Sequence, residues 1–411
     1  MRSDAKARVV APGPVLRLAV AVAAVATAVV VVSATLDSGR GHWAAALVAV
    51  PLLVAAVIVA RVAYPRLLVA TTAALGLMLL AIATGGLVAL VDDARWAAGL
   101  HVAAAGASLA ASLVALVVSF RGEPVPFGPW RDYITLTKPR IMSLLLLTGA
   151  AGMFVGAGGW PDPWAFLAMM IGLALACGGS SALNHVMDAD IDVLMGERTA
   201  ARPVASGRVA VPRALEFGVV LMALSFALLA TTVNVLTAAL ALVGGLFYVV
   251  VYTGYLKRST DQNIVIGGAA GAVPPLVGFA AATGNLTLPA LWLFLIVFLW
   301  TPPHFWALAL MIKEHYAAAN VPMLPGTRGE RETTRQILLY SIVMVTFTIA
   351  VGWWLGPVYT VAAVLLGAYF LLLAWKLRLD TSRRRAFVLF HYSLGYLALL
   401  FVAAAVDPLI V

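Results

Sequence analysis

The sequence predicts an all-α polytopic membrane protein, a nine-helix bundle preceded by four additional transmembrane helices, about thirteen in total. Three observations carry this. First, 63% of the 411 residues are hydrophobic and only 11% are charged, too few polar side chains to cover a water-soluble globule. Second, apolar runs of roughly 18 residues or more, the length a helix needs to cross the hydrocarbon core, recur along the whole chain. Third, the basic residues partition to one side of the membrane.

The first four runs span about 15 to 35, 43 to 64, 66 to 91 and 96 to 119. Nine more follow at about 140 to 158, 164 to 188, 212 to 233, 235 to 253, 262 to 283, 288 to 312, 336 to 354, 357 to 377 and 386 to 406. With the N-terminus inside, 25 of the 27 Lys and Arg residues fall in inner segments, leaving Arg40 and Arg95 outside. Cytoplasmic loops carry this excess. The expectation is therefore a multi-pass protein of the cell membrane with a cytoplasmic N-terminus and an external C-terminus. The net charge of +9 is then a topology signal, not evidence for nucleic acid, and no nucleic-acid partner is expected. The first run is too long for a cleaved signal peptide and reads as a retained helix. The single cysteine, Cys177, lies in an apolar run and excludes an internal disulfide or a thiolate metal cluster.

A polar, proline-bearing stretch, "RGEPVPFGPWRDYITLTK", occupies residues 121–138. It divides the chain into a four-helix module over 1–120, a cytoplasmic linker and a bundle over 139–411. Helices of the first part are rich in Ala, Val and Leu, whereas the second part gathers its polar residues in clusters on one side. Chemistry is expected in the second part.

The most telling cluster is "LNHVMDADID" at 183–192. Asn184, Asp188 and Asp192 are four residues apart, so a helix stacks them along one face with a drift of roughly 40° per step. Crowded carboxylates raise each other's pKa unless cations sit between them. Oxygen ligands favour a hard cation such as Mg²⁺, which bridges to substrate phosphates. A solvated helix end is the plainer alternative, and His185 reads as an interfacial neighbour. Asp190 points off this rail toward an arginine such as Arg198.

The following loop, "GERTAARPVASGR", supplies Arg198, Arg202 and Arg208, cations suited to grip a phosphate beside a metal. "YTGYLKRSTDQNIVIGG" adds Tyr252, Lys257, Arg258, Thr260 and Asn263 on the same side. In "WTPPHFWALALMIKEHY", Pro302 and Pro303 are expected to disturb the helix, and His304 sits at a depth where an ionisable group is a functional candidate. A neutral histidine bonded to a backbone carbonyl is the alternative. Lys138 and Arg140 of "LTKPRI" open the fifth helix. A bundle would gather these clusters around one inward-opening cavity with apolar walls, fitting a diphosphate head on a greasy tail.

From about Asp132 to Val411 the chain resembles the UbiA superfamily of intramembrane prenyltransferases, whose Asn-x3-Asp-x3-Asp motif stands here as Asn184, Asp188 and Asp192. "LTKPR", "NHVMDADIDVLMGERTAARP", "LKRSTDQNIVIGG" and "TPPHFWALALMIKEHYAAANVPMLP" resemble the heme-specific branch of that superfamily. Most members carry a second aspartate cluster where this chain has His304, Lys313 and Glu314, which leaves a second Mg²⁺ open. The resemblance implies Mg²⁺-dependent transfer of the farnesyl group of farnesyl diphosphate to a vinyl group of heme b, a substrate, with addition of water. It implies metal ligation by Asn184, Asp188 and Asp192. It further implies that Lys138, Arg140, Arg198, Arg202, Arg208, Lys257, Arg258, Asn263 and Lys313 hold diphosphate or heme. His304 and Tyr252 are expected to orient heme or manage the water. Partners implied are these two substrates, the bilayer, and heme A synthase or cytochrome oxidase assembly factors.

Residues 1–120 lie outside that pattern and weakly resemble one half of the heme A synthase family. His42 and His101 would then be bis-histidine heme ligands at the outer helix ends. Small-residue packing explains the same stretch without heme. A quinone-pathway aromatic prenyltransferase and a polytopic transporter are the competing functions; the TPPHFW stretch argues against the first, and the lack of inverted repeats against the second.

Overall fold

The computed structural model describes residues 14–36, 49–58, 60, 67–90, 95–119 and 128–410. Among these every regular element is a helix. The N-terminal part contains α1 (Pro14–Leu36), α2 (Ala49–Ile58), α3 (Leu68–Leu90) and α4 (Arg95–Ser119). The remainder contains α5 (Pro139–Ala157), α6 (Pro163–Met187), α7 (Val211–Thr232), α8 (Val235–Ser259) and α9 (Asn263–Thr283). It ends with α10 (Leu288–Met311), α11 (Gly329–Ala350), α12 (Pro357–Leu379) and α13 (Arg383–Ile410). Ten described helices are long and apolar enough to cross a membrane, and nine of them are α5 to α13. The chain is a multi-pass membrane protein.

Local chemistry sets the helix ends. Proline occupies a first-turn position in α5, α6, α7 and α12, where its missing N–H has no helical partner to lose. Asp162 Oδ1 accepts from Ala165 N at 2.8 Å and Asn234 Oδ1 from Thr237 N at 2.8 Å, capping α6 and α8. Gly158 and Gly284, both left-handed, end α5 and α9. Large apolar side chains such as Ile342, Val361 and Leu365 stand exposed on the flanks, as lipid-facing residues must. Exposed Trp160, Trp164, Trp353 and Trp354 ring one end, the place amphipathic aromatics occupy at a membrane interface.

Two apolar cores flank the centre of the bundle. One is built on α6 to α9 around Met169, Leu173, Met222 and Val277; the other, on α10 to α13, buries Trp306, Tyr359, Phe370 and Phe401. Helices α5 and α9 approach closely where glycines face the opposite backbone. A Cβ on Gly278 would run into the Gly149 carbonyl oxygen, and one on Gly152 into the Pro275 carbonyl. The N-terminal helices are docked on this bundle: α4 lies along α7, with Ala104, Ala105 and Leu109 sharing a cluster with Ala223 and Ala227.

Three differences from the sequence expectation have local causes. Helix α11 starts at Gly329 rather than near 336, because Glu330 and Glu332 in its first turn complement the positive helix end outside the apolar run. Helix α8 continues past 253 through a ten-residue π-helical stretch, Phe247–Leu256. Helix α10 is not broken at Pro302 and Pro303; it runs through them, held to α13 by a 2.8 Å bond from Trp300 Nε1 to Ser393 O.

Candidate active site

Because neighbouring helices alternate in direction, the end of α6, the end of α8, the starts of α5 and α9 and the end of α10 meet at one polar end of the bundle. Helix α6 stops at Met187, and Asp188 takes the bridge conformation, φ −90° and ψ 0°, before a short helix resumes at Ala189–Leu194. The i to i+4 hydrogen bonds survive the break, Asp188 N to Asn184 O and Asp192 N to Asp188 O, both 2.8 Å. The expected rail therefore holds together. Asn184, Asp188 and Asp192 are buried.

Cations lie against each acid, the condition crowded carboxylates require. Lys257 Nζ donates to Asp188 Oδ2 at 2.7 Å, and Arg202 Nη1 to Asp192 Oδ1 at 2.6 Å. Asn184 links the network: its Nδ2 donates to Asp188 Oδ2 at 2.8 Å and to Thr253 Oγ1 at 3.0 Å, while its Oδ1 accepts from Lys138 Nζ at 2.6 Å. Burial raises the Asp192 pKa, opposed by the Arg202 guanidinium. Burial beside Arg202 lowers the Lys138 ammonium to about 7. Lys138 also adopts a left-handed backbone, φ +51°, directly before a proline, a strained placement that aims its side chain at Asn184.

Asp188 Oδ1 and Asp192 Oδ2 are buried with no protein partner. Two such carboxylate oxygens on adjacent turns are the donors a hard divalent cation takes, so the residues present fit Mg²⁺. Among the described residues no group of three or more His, Cys, Asp and Glu forms a metal-binding cluster. A metal here would rest on these two carboxylates, because the Asn184 amide, expected as a third ligand, already accepts from Lys138 Nζ and donates to Asp188 and Thr253.

Beside this cluster opens a cavity of about 540 Å³, lined from α5, α6, α8, α9, α10 and α13 by residues that include Lys138, Arg140, Tyr248, Tyr252, Trp300 and His304. The π-helical stretch of α8 shapes one wall. Tyr248 and Tyr252 stack at 5.7 Å, and the ring of Tyr252 lies against Gly267, where a Cβ would collide with it. Thr253 Oγ1 donates to Tyr248 O at 2.9 Å while accepting from Asn184, tying this wall to the rail. Opposite, His304 is sandwiched between Trp300 at 4.3 Å and Phe390 at 4.7 Å. Its Nδ1 lies 2.6 Å from Ser393 Oγ, whose own proton goes to Phe390 O at 2.7 Å. His304 Nδ1 is thus the donor, and Nε2 keeps its lone pair.

The structure brings Lys138, Asn184, Asp188, Asp192, Arg202 and Lys257 into one network, with Tyr252, Arg140 and His304 along the cavity. Other sequence candidates are placed elsewhere. Asp190 pairs with Arg258 rather than Arg198, because the helix break turns it toward the end of α8; Arg258 Nη1 and Nη2 both reach its carboxylate at 2.7 Å. Arg258 holds the Asp190 carboxyl down at about 2. Arg198 is exposed on the short helix Glu197–Ala200. Arg208 is bound to Asp132 and the Ala201 carbonyl, and Lys313 to Glu330 at 2.6 Å, outside the cavity. Asn263 is buried, with Nδ2 on Pro322 O. His101 Nδ1 lies 2.6 Å from Ala81 O, against Gly85, and His42 lies outside the described residues.

Sequence reasoning missed Thr253, Tyr248, Tyr316 and Ser393. Thr253 was detectable, since it lies four residues before Lys257 on the face that meets the rail. Tyr316 packs with Tyr252, Ile191 and Met195 over the short acidic helix, and burial pushes its phenol up to about 12. Ser393 carries no signal in its own neighbourhood.

Residues 145–400 match the UbiA prenyltransferase family. Protoheme IX farnesyltransferase of Symbiobacterium thermophilum is 52% identical over 286 residues, covering 67% of this chain and 94% of that one. Its counterparts in Roseiflexus castenholzii and Thermus thermophilus are 51% and 50% identical over 67% and 70% of this chain. The matched region spans about half of those two relatives, 52% and 48%. Among solved structures, digeranylgeranylglyceryl phosphate synthase superposes with a TM-score of 0.58 at 17% identity, over 68% of this chain and 99% of that one. A UbiA homolog from Archaeoglobus fulgidus bound to DMAPP and Mg²⁺ gives 0.56 at 18%, over 67% and 98%. These two likenesses establish the fold of the nine-helix bundle.

Proposed function

Because this chain belongs to the UbiA prenyltransferase family, we propose that it joins the farnesyl group of farnesyl diphosphate to a vinyl group of heme b, with addition of water, yielding heme O and diphosphate. The observation that carries this reading is the junction of an apolar cavity of about 540 Å³ with a buried cluster of two carboxylates, an amide and three cations. The relatives named protoheme IX farnesyltransferase support the choice of acceptor.

In this reaction the C1–O bond of farnesyl diphosphate breaks and its electron pair stays on the diphosphate oxygen. The vinyl π pair of heme b forms the new bond to C1. The cation left beside the porphyrin takes the oxygen of water, and one proton is released. Lys138, Arg202 and Lys257 offset the charge growing on diphosphate, preorganised where water is largely excluded. Asp188 and Asp192, beside Asn184, would hold Mg²⁺, which when bound would supply Lewis-acid neutralisation of the same charge. His304, with Nε2 unprotonated between two flat rings, orients heme, and Tyr252 flanks the acceptor or its water. Arg140 stands at the cavity margin to meet a carboxylate or phosphate.

The bias of basic residues supports the polar end facing the cytoplasm, with the N-terminus on that side of the cell membrane. Residues 1–120 are read as a module of their own, joined through 121–138 to the catalytic bundle at 139–411 and packed on it where α4 lies along α7. As a heme-binding module it would use His42 and His101, and heme A synthase or oxidase assembly factors are the partners its position favours. Heme stoichiometry of the purified full chain, with and without His101→Ala, decides that point: two hemes falling to one supports it, and one in both excludes it.

Membranes carrying the protein, given heme b, farnesyl diphosphate and Mg²⁺, test the central reading by mass spectrometry. Wild type forms heme O, and Asp188→Ala does not. Prenylated 4-hydroxybenzoate in place of heme O would reassign the acceptor.

A further inference from the structure

The pair Arg258 and Asp190 touches the site's frame but not its cavity. Arg258 donates to both Asp190 oxygens at 2.7 Å, and its Nη2 also reaches Met187 O at 2.6 Å. Met187 and Asp190 bracket Asp188, the residue at which α6 breaks. The Met187 carbonyl belongs to the last turn of α6, where carbonyls lack helical donors and a cation is favoured. The residue before Arg258 is Lys257, whose Nζ rests 2.7 Å from Asp188 Oδ2. One side chain thus grips the acid while its neighbour grips the Met187 carbonyl before it and the Asp190 carboxylate after it.

An exposed ion pair ordinarily contributes little. This one is bidentate and carries a third bond to the backbone, a fork that a lysine point charge cannot reproduce. Both terminal nitrogens of the arginine are already bonded, to the Asp190 carboxylate and the Met187 carbonyl.

We propose that Arg258 and Asp190 are a positioning pair that sets the register between α8 and the acidic rail and so holds Lys257 on Asp188, and that Arg258 is not a ligand of the diphosphate. The proposal deepens the prenyltransferase reading and rests on it.

The test uses the full chain with Asp190→Asn, Arg258→Lys, the double variant, and each single combined with Lys257→Ala. Kinetic constants are taken per folded enzyme. Hydrogen–deuterium exchange at amides 188–192 gives a readout independent of turnover. Either single variant is expected to lower kcat/KM for farnesyl diphosphate about tenfold, the scale of one charge-assisted bond. The double variant should be no worse than either single. Lys257→Ala should cost less in those backgrounds than in wild type, and exchange at 188–192 should quicken.

Three results overturn the proposal. Asp190→Asn at wild-type kcat/KM with Arg258→Lys impaired assigns Arg258 to the substrate. Both singles at wild-type rates with unchanged exchange leave a surface ion pair only. Lower thermal stability with unaltered constants per folded molecule makes the pair merely structural. Wild type forming no heme O refutes the functional reading instead, and the exchange data then judge the register alone.

Discussion

Lys257 Nζ sits 2.7 Å from Asp188 Oδ2, and both side chains are nearly closed to solvent, 11% and 2% exposed. A buried pair of this kind is costly to break from one side, because the remaining charge keeps its desolvation penalty without its partner. Lys257→Met should therefore destabilise the protein by about 3 kcal/mol, and Asp188→Asn together with Lys257→Met should recover part of that loss. Thermal unfolding in detergent reads both numbers. Equal loss in the single and double variants would show that the pair is not coupled.

Removing divalent metal should stop heme O formation, and returning Mg²⁺ should restore it. Asp192→Asn keeps the side-chain volume but surrenders the charge on an oxygen that has no protein partner. It should raise the Mg²⁺ concentration needed for half-maximal turnover by tenfold or more, the scale of a lost charged ligand contact. Turnover that persists in chelator would contradict the role given to the rail.

Thr253 bridges the rail and the cavity wall through one hydroxyl, accepting from Asn184 and donating to Tyr248 O. Thr253→Val preserves shape and leaves the Asn184 amide short of an acceptor, at about 1–3 kcal/mol. Thr253→Ser should retain most activity. The contrast between the two variants, measured as heme O formed per folded enzyme, separates the hydroxyl from the methyl.

Ser393 fixes which His304 nitrogen bears the proton. In Ser393→Ala the imidazole loses that anchor, so KM for heme b should rise several-fold while KM for farnesyl diphosphate stays unchanged. His304→Ala should show the larger effect on the same constant. An effect confined to farnesyl diphosphate would place the histidine at the other substrate.

At the polar end, Arg328 Nε lies 2.5 Å from Asp261 Oδ2 and holds that carboxyl below the ordinary range. A carboxylate whose folded pKa is depressed contributes stability above its unfolded value near 3.9, and that contribution is lost as pH falls through the folded value. The difference in thermal midpoint between wild type and Asp261→Asn should hence be present at pH 7 and shrink below about pH 4. A gap that widens in acid would reverse the sign.

How much of this was legible follows from the kind of signal involved. Apolar run length located α5 to α13 because crossing a bilayer imposes a length that composition reveals directly. The spacing of Asn184, Asp188 and Asp192 survived even a helix break, since the backbone bonds on either side keep the phase. Partners were harder. Nothing local to Asp190 says that Arg258, 68 residues on, meets it rather than Arg198, and Ser393 reaches His304 only through the packing of α13 on α10. Loop arginines such as Arg208 looked suited to hold diphosphate because topology and phosphate binding demand the same residue type. Pro302 and Pro303 misled for a related reason, since a helix buried among others tolerates prolines that an isolated one would not.

The π-helical stretch from Phe247 to Leu256 has a bearing on how this chain can vary. Each residue added to or removed from a helix swivels everything beyond it by roughly 100°. Lys257 and Arg258 lie immediately after the widened turns, so their compass bearing depends on that underwound count. Relaxing the stretch to ordinary α geometry at unchanged length would swing Lys257 away from Asp188, whereas a residue deleted along with the relaxation would offset that swing, because the wider turns hold more residues each. Length and winding of this segment can thus change together but not singly, for drift and for the engineer alike.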